Sequence, residues 1–460
     1  MNNLNKETFI NKVSETLYEN RGVIFVGSGI SFPSTNIDWF KLLDHFAKDL
    51  GIKLDENHDD LPLIAQYIVN EHAGNRGPLL NVISKTFNKN FTINNYHIAL
   101  STTKVSTIWT TNYDTLLERA FSDFLVDVKV NDDSISRNVV NSDIEILKIH
   151  GCISRSRHED IIITQEDYED FLINKPAMSQ RLSNDLLNKS FLFIGYSYRD
   201  PNIRNIMISA RRLSKKTTQE HYLITTLPKD GNQEVLLQKK RRQELWIKDL
   251  KRLGISALQI EDYEELEKIL FEISQKSRGK TVYVTGSHEK SNPIAQQLGK
   301  FLAEEREITL ISGQSTGIGS TVVSAFIEQC IRYKQDINSR LQIYPNPYAA
   351  NPIYTINDST LLQDLKKSRA KLMNATQVVI AFSGGMGTEA EIEVAKSRNC
   401  KIVPVVLNTE DLQNKVIKKI LEDKTISDYL KYINNEYYNK LLAGSVSAND
   451  VITLIIKILG

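Results

Sequence analysis

The stretch GVIFVGSGIS, residues 22–31, decides how the first half of the chain is interpreted. A short apolar run ends in Gly27-Ser28-Gly29-Ile30-Ser31. This pattern is typical of a buried strand that opens into a tight loop before a helix. Glycines let backbone N–H groups approach phosphate oxygens, and the amino terminus of a helix favours negative charge. Taken alone, the stretch fits both a nucleotide-binding loop and an ordinary strand-to-helix turn.

The same alternation of short apolar runs and amphipathic segments continues through the first half of the chain. Strands are predicted at residues 22–27, 105–110, 145–149, 191–195, 221–226 and 255–260. Helix-like segments lie between them, among them DWFKLLDHFAKDLG, YDTLLERAFSDFL and DPNIRNIMISARRL. This rhythm predicts an α/β domain with a mostly parallel sheet. In the third segment Asp200 can cap the helix, and Pro201 suits its first turn.

A second α/β domain is predicted in the remainder of the chain. The polar stretch SQKSRGK, residues 274–280, lacks apolar periodicity and is the best candidate for a linker. Strands are then predicted at 281–287, 308–313, 377–385 and 401–407. The sequence therefore divides into domains at 1–276 and 281–460, and a chain of 460 residues is long enough for two cores.

Composition excludes several classes of protein. The 57 basic and 56 acidic residues give a net charge of +1, which provides no electrostatic footprint for nucleic acid or an anionic membrane. The three cysteines lie far apart, so a four-cysteine zinc site is impossible and no metal is expected. The polar, periodic amino terminus is not a signal peptide, and no apolar run is long enough to span a membrane. An intracellular, cytoplasmic protein is expected.

Polar residues follow three further strands of the first domain at the point where each strand ends. Asn112 and Asp114 follow the second, His150 follows the third and is itself followed by a glycine, and "GYSYRD" follows the fourth. In an open parallel sheet ligands bind outside the carboxyl ends of the strands, so these clusters should converge on one crevice. Singly each has a plainer explanation, since Asn112 could cap the next helix and a lone histidine is more often structural.

In order and spacing these four clusters resemble the signature of sirtuin-type NAD-binding domains, over roughly residues 10 to 270. The resemblance implies that the glycine turn faces the pyrophosphate of NAD+ and that Asn112 and Asp114 line the nicotinamide side. It implies that His150 is the general base and that Ser197 contacts the adenosine half. The residues implied to bind NAD+ are Gly27, Ser28, Gly29, Ser31, Asn112, Asp114, His150, Gly195, Ser197 and Asp200, with His150 and Asn112 catalytic.

The chain also departs from the deacetylating sirtuins. It cannot build their four-cysteine zinc module, SFPSTNIDWF follows the glycine loop, and Thr111 replaces the glutamine before the asparagine. These differences disfavour acyl-lysine deacylation and leave NAD+ cleavage, with water as the nucleophile. Cleavage of the nicotinamide–ribose bond passes through an oxocarbenium-like state, and a histidine that titrates near neutrality suits the role of base.

The second domain resembles the nucleotide-handling SLOG superfamily, on the element FSGGMGTEAEIE at residues 382–393. Glycines, threonine and glutamate fall at the family's spacings, and Ser383 replaces its proline. The loop ISGQSTGIGS and an upstream helix with Arg369 complete the pattern. The residues predicted to bind a signal nucleotide are Gly286, Ser287, Thr316, Gly317, Gly319, Arg369, Gly384, Gly385, Gly387, Thr388 and Glu391.

The order of the two domains resembles the NAD-consuming effectors of the Thoeris anti-phage defence system. This resemblance implies that a partner enzyme with a TIR domain makes a cyclic ADP-ribose isomer, which binds the SLOG pocket. Binding would activate an NAD+ glycohydrolase in the first domain, which would release nicotinamide and ADP-ribose and deplete NAD+. A homotetramer or larger assembly is implied as well. Three alternatives stay open, namely an NAD-dependent deacylase, a nucleotide phosphoribohydrolase acting from the second domain, and a non-catalytic NAD-binding module.

Overall fold

A computed structural model describes residues 5–55, 59–137, 139–198, 200–213, 219–287, 293–314, 317–344 and 359–460. The chain forms two compact units, Met1–Ile273 and Ser274–Gly460. Each unit is built on one sheet whose strands are all parallel, with helices packed against it. The predicted class, two α/β parallel-sheet domains in tandem, is confirmed.

The first unit contains a seven-stranded sheet in the order β3-β4-β2-β1-β5-β6-β7. Its strands are β1 Gly22–Val26, β2 Thr107–Thr110, β3 Val126–Lys129, β4 Ile144–Lys148, β5 Ser190–Ile194, β6 His221–Thr226 and β7 Ile255–Ile260. Its helices are α1 Lys6–Tyr18, α2 Ser28–Thr35, α3 Trp39–Asp49, α4 Leu61–Glu71, α5 Gly77–Phe87, α6 Asn95–Ser101, α7 Leu116–Ala120, α8 Asp132–Ile135, α9 Gln165–Glu169, α10 Phe171–Asn174, α11 Pro176–Asn188, α12 Pro201–Leu213, α13 Gln233–Arg252 and α14 Tyr263–Lys276.

Strand β1 is the centre of this sheet because it pairs with β2 on one side and β5 on the other. All five of its residues are buried. Ile24 and Val26 pack into the core on the side of α1, α6 and α14, whereas Val23 and Phe25 pack with α11 and α12 on the opposite side. The chain changes direction across the sheet between β1 and β5, and open α/β sheets bind ligands at such a switch point.

The second unit contains a five-stranded sheet in the order β10-β9-β8-β11-β12. Its strands are β8 Thr281–Thr285, β9 Thr309–Ser312, β10 Leu341–Ile343, β11 Val378–Ala381 and β12 Lys401–Pro404. Its helices are α15 Pro293–Glu304, α16 Ile318–Arg332, α17 Ile337–Arg340, α18 Ser359–Asn374, α19 Met386–Ser397, α20 Lys415–Glu422, α21 Lys424–Ile433, α22 Asn435–Leu442 and α23 Ala448–Leu459.

Two local expectations were wrong. The predicted helical stretch at 113–125 is helical only in α7, because the chain turns through Phe121 and Phe124 to enter β3, a strand that the sequence did not predict. The predicted linker at 274–280 is not a solvated connection. Helix α14 extends to Lys276, and Ser274, Ser277 and Arg278 are buried.

Candidate active site

The glycine loop after β1 packs directly on the loop after β5. The Gly27 N–H donates to the Ile194 carbonyl at 3.0 Å, and the Gly29 N–H donates to the Gly195 carbonyl at 2.9 Å. A Cβ atom on Gly27 would lie 2.3 Å from the Gly195 oxygen. Gly195 has a φ of +59°, a conformation that favours glycine. Close backbone contact therefore explains these glycines, and neither of these two N–H groups is free to receive a phosphate.

Ser28 is the exposed residue of this loop and the first residue of α2. Helix α2 has no side-chain cap at its amino terminus. Asn94 stabilises this helix, because its side-chain amide donates to the Ile30 carbonyl at 2.9 Å and to the Ser34 hydroxyl at 2.9 Å. The uncapped amino end of α2 thus faces the switch point, where an anion would be favoured.

Asn112 joins the end of β2 to the glycine loop. Its side-chain nitrogen donates to the Gly27 carbonyl at 3.2 Å and to the Ser31 hydroxyl at 3.1 Å. Asn112 and Ser31 are both buried. The other side-chain atom, Asn112 Oδ1, is buried and has no hydrogen-bond partner among the described residues. Because buried polar atoms are normally satisfied, this acceptor is suited to receive a hydrogen bond from a ligand.

Asp114 has a structural partner. Its Oδ1 accepts the N–H of Leu116, the first residue of α7, at 2.9 Å. The carboxylate also lies near His97, which is fully buried. Burial lowers the pKa of His97 to about 4, and the Asp114 charge opposes this change. His97 Nδ1 lies 3.0 Å from Asn94 Oδ1, on the side chain that supports α2. No sequence motif singled out His97, since its role depends on contacts made by the fold.

His150 and Asp200 come together although they follow different strands. His150 Nε2 and Asp200 Oδ2 are 2.8 Å apart, and each side chain is 5% exposed. The two atoms are close enough for an ion pair, but they are not aligned as a hydrogen bond. The other carboxylate oxygen of Asp200 accepts the N–H groups of Asn202 and Ile203 at 2.9 and 3.1 Å. The predicted cap of α12 is therefore confirmed.

Two tyrosines that the sequence analysis missed border this pair. The Tyr168 ring packs edge-on against the His150 imidazole, with 5.5 Å between centroids. The Tyr196 hydroxyl is buried without a hydrogen-bond partner in the described part of the chain. Burial, assisted by Asp200, raises the pKa of both phenols well above the usual range, which keeps them neutral. Ser197, next to Tyr196, is exposed.

In the second unit, Arg369 and Glu391 lie close to two residues of β8, Tyr283 and Thr285. The Thr285 hydroxyl donates to a Glu391 carboxylate oxygen. Burial raises the pKa of Glu391, while Thr285 and the Arg369 charge oppose the rise. Burial and the Glu391 carboxylate raise the pKa of Tyr283 well above its usual value. Arg369 Nε is buried and makes no hydrogen bond within the described ranges. Tyr283 and Thr285 were not predicted as site residues, because both belong to the strand itself.

The glycines of this unit divide into two kinds. Gly384 is packed, since a Cβ there would lie 2.2 Å from Thr388 Oγ1, and its carbonyl accepts from Asn414 at 3.0 Å. Gly385 and Gly387, at the start of α19, have no heavy atom within 4 Å of a Cβ position. Open space beside two glycines at a helix amino terminus is suited to the close approach of an anionic ligand.

The remaining predicted residues of the second unit lie around the ends of β8 and β9. Ser287 Oγ accepts the Gly385 N–H at 3.2 Å, and the Ser287 N–H donates to the Ser383 carbonyl at 3.0 Å. Gly286 follows β8, Gly317 precedes α16, and Gly319 is buried within α16. The predicted site residue Thr316 lies outside the described residues.

Neither a metal centre nor a membrane segment is found in the described part of the chain. No three His, Cys, Asp or Glu side chains there are grouped so that they could hold a metal ion. Within the same ranges, every helix is too short or too polar to cross a bilayer.

Comparison with known families divides the chain in two. Residues 106–248 match the SIR2-like domain, and residues 265–460 match the Sir2- and TIR-associating SLOG family. The NAD(+) hydrolase ThsA of Bacillus cereus is 28% identical over 438 residues, which cover 89% of each chain. The protein of the same name from Enterococcus faecium is 28% identical over 96% of this chain and 94% of its own. By these matches a SIR2-like domain precedes a SLOG domain in this chain, and most of the chain is similar to ThsA proteins.

Proposed function

We propose that the first domain hydrolyses NAD+, releasing nicotinamide and ADP-ribose. The observation that carries this proposal is the similarity to NAD(+) hydrolases over about nine-tenths of the chain. The geometry supports it, because Gly27, Ser31 and Asn112 form one hydrogen-bonded group at the switch point of the sheet. This is where open α/β folds bind dinucleotides.

Each polar group at the switch point has a role in this reaction. The pyrophosphate of NAD+ lies against the amino end of α2, where the helix dipole favours negative charge. Asn112 Oδ1, the buried acceptor without a partner, receives a hydrogen bond from a ribose hydroxyl or from the attacking water. His150 removes the proton from that nucleophile. Nicotinamide leaves from a cationic ring, so its departure needs no proton donor.

The test is nicotinamide release from NAD+ by the purified full-length chain. His150→Ala should lower the rate about 100- to 10,000-fold, the usual contribution of a general base. His72→Ala is the matched control, because His72 is exposed at the C-cap of α4 and its ring contacts the Ile68 carbonyl of that helix. If His150→Ala retains activity within threefold of the wild type, another group is the base.

The second domain binds the activating signal, which we propose is a cyclic ADP-ribose isomer. Arg369 has a buried Nε without a partner in the described structure, and an arginine pairs readily with a phosphate. Glu391 can accept hydrogen bonds from ribose hydroxyls, and Gly385 and Gly387 leave space for the phosphates. Binding activates the first domain because the signal prefers the active conformation.

The source of the signal and the setting of NAD+ depletion complete this proposal. A family of SLOG domains associated with Sir2 and TIR domains suggests that a TIR-domain enzyme supplies the signal. NAD+ depletion then acts in anti-phage defence in the cytoplasm, from a homotetramer or a larger assembly. Calorimetric titration of a cyclic ADP-ribose isomer tests the sensor: Arg369→Ala should lose binding, whereas Lys366→Ala, an exposed position on the same helix, should retain it. Equal binding by both variants would contradict the assignment.

A further inference from the structure

The two oxygens of the Asp200 carboxylate make separate contacts, one with the backbone of α12 and one with His150. One oxygen of Asp200 is fixed by the backbone N–H groups of Asn202 and Ile203 at the start of α12. The second oxygen lies 2.8 Å from His150 Nε2. The helix cap therefore determines where the second oxygen lies, and that oxygen lies against the imidazole.

Neither atom of the contact has another partner in the described part of the chain. His150 Nε2 and Asp200 Oδ2 are both buried and make no hydrogen bond there. Buried polar atoms without partners are costly, and at 2.8 Å these two atoms are placed to satisfy each other. Catalytic hydrogen bonds commonly reach their alignment only in the substrate complex, and the 2.8 Å separation leaves the pair close enough to form one.

We infer that Asp200 is a positioning residue that keeps the hydrogen of neutral His150 on Nε2. A carboxylate is only an acceptor, so it favours the tautomer that presents N–H to it. The lone pair is then on Nδ1, and Nδ1 is the atom that takes the proton from the nucleophile. When it does so, the carboxylate also stabilises the imidazolium. This inference rests on the proposed NAD+ hydrolysis for its catalytic consequence, but the tautomer itself does not.

Asp200→Asn separates the cap from the tautomer. Asparagine caps helices as well as aspartate does, so its Oδ1 can keep the two backbone N–H groups and α12 stays intact. Its NH2 group then faces His150 Nε2 as a donor and favours the opposite tautomer, with the hydrogen on Nδ1. Asp38→Asn is the matched control, since Asp38 caps α3 through the Lys41 N–H at 2.7 Å and forms no ion pair with a histidine among the described residues.

The experiment is solid-state NMR of the full-length chain labelled with 15N-histidine above pH 8, with the His150 signals identified by their loss in His150→Gln. We expect Nε2–H in the wild type and in Asp38→Asn, and Nδ1–H in Asp200→Asn. On NAD+, Asp200→Asn should lower kcat about 100-fold or more with KM changed less than about threefold.

Two results would overturn the inference. One is a wild-type His150 that carries its hydrogen on Nδ1. This result does not depend on whether Asp200→Asn folds. The other is an Asp200→Asn protein whose tautomer and kcat equal those of Asp38→Asn. If the wild type cleaves no NAD+, the proposed function fails, while the tautomer comparison still decides the role of Asp200.

Discussion

Gly27→Ala should destabilise the first unit before any effect on ligand binding arises. The added Cβ would lie 2.3 Å from the Gly195 oxygen, 2.7 Å from Tyr196 Cα and 2.8 Å from the Gly195 carbonyl carbon. Real Cβ atoms essentially never approach within 3.0 Å, and all three neighbours are backbone, so no side-chain rotation relieves the overlap. The loop after β5 must therefore move by roughly 1 Å, as expected for overpacking.

The loss of stability follows from the overlap itself and from the backbone hydrogen bonds that this movement breaks. Overpacking itself costs about 1–3 kcal/mol, and the two backbone hydrogen bonds from Gly27 and Gly29 contribute about 1 kcal/mol each. A loss of about 3 kcal/mol corresponds to a melting temperature lowered by about 6–12 °C in a unit of this size. Gly231→Ala, with no heavy atom within 4 Å of its Cβ, should melt at or up to about 4 °C above the wild-type temperature. The measurement is calorimetric melting without nucleotide. A Gly27→Ala protein as stable as Gly231→Ala would refute the packing argument.

Three further predictions concern other parts of the chain. Burial lowers the pKa of both His97 and His221 to about 4, so the folded state binds fewer protons than the unfolded state between pH 6.5 and 4. Stability should therefore fall as the pH decreases through this window, by up to about 3 kcal/mol for each histidine, and urea unfolding of His221→Asn should show a smaller loss than the wild type. Arg278→Met should lower the free energy of unfolding of the second unit by about 3 kcal/mol, measured as a lower urea midpoint, because the buried guanidinium donates to the carbonyls of Met373, Thr376 and Arg398. An unchanged midpoint would mean that these carbonyls find other donors. Gly387→Val should leave the melting temperature within about 2 °C, since space is open there, yet weaken calorimetric binding of a cyclic ADP-ribose isomer more than about tenfold; undiminished binding would place the ligand elsewhere.

Among the described strands, the sequence predicted every central one, and at the edges it predicted β7 and β12 but not β3 and β10. Every strand proposed from an apolar run overlaps an observed one, because a strand buried on both faces must be apolar along its length. The two strands that the sequence did not predict, β3 and β10, each lie at the edge of a sheet. They are four and three residues long, and an edge strand with few paired residues needs no apolar run.

The candidate sites were predicted in part, for a related reason. The polar residues at strand ends led to the prediction of Asn112 and His150, because the carboxyl ends of parallel strands lie at one edge of a sheet. The partners of those residues depend on loop paths that the sequence does not reveal. The contact between His150 and Asp200, the support of α2 by Asn94, and the place of Tyr283 beside Glu391 all join residues that are distant in the chain. The glycine loop was predicted, but its packing against Gly195 was not.

The most direct test of the account is nicotinamide release from NAD+ by the full-length chain at increasing concentrations of a cyclic ADP-ribose isomer. The wild type should show a saturable increase in rate, because the signal stabilises the active conformation. His150→Ala should bind the signal and release nicotinamide about 100- to 10,000-fold more slowly than the wild type, and Arg369→Ala should not respond to the signal at all. A wild type that releases no nicotinamide at any signal concentration would contradict the account, and so would a His150→Ala protein that responds like the wild type.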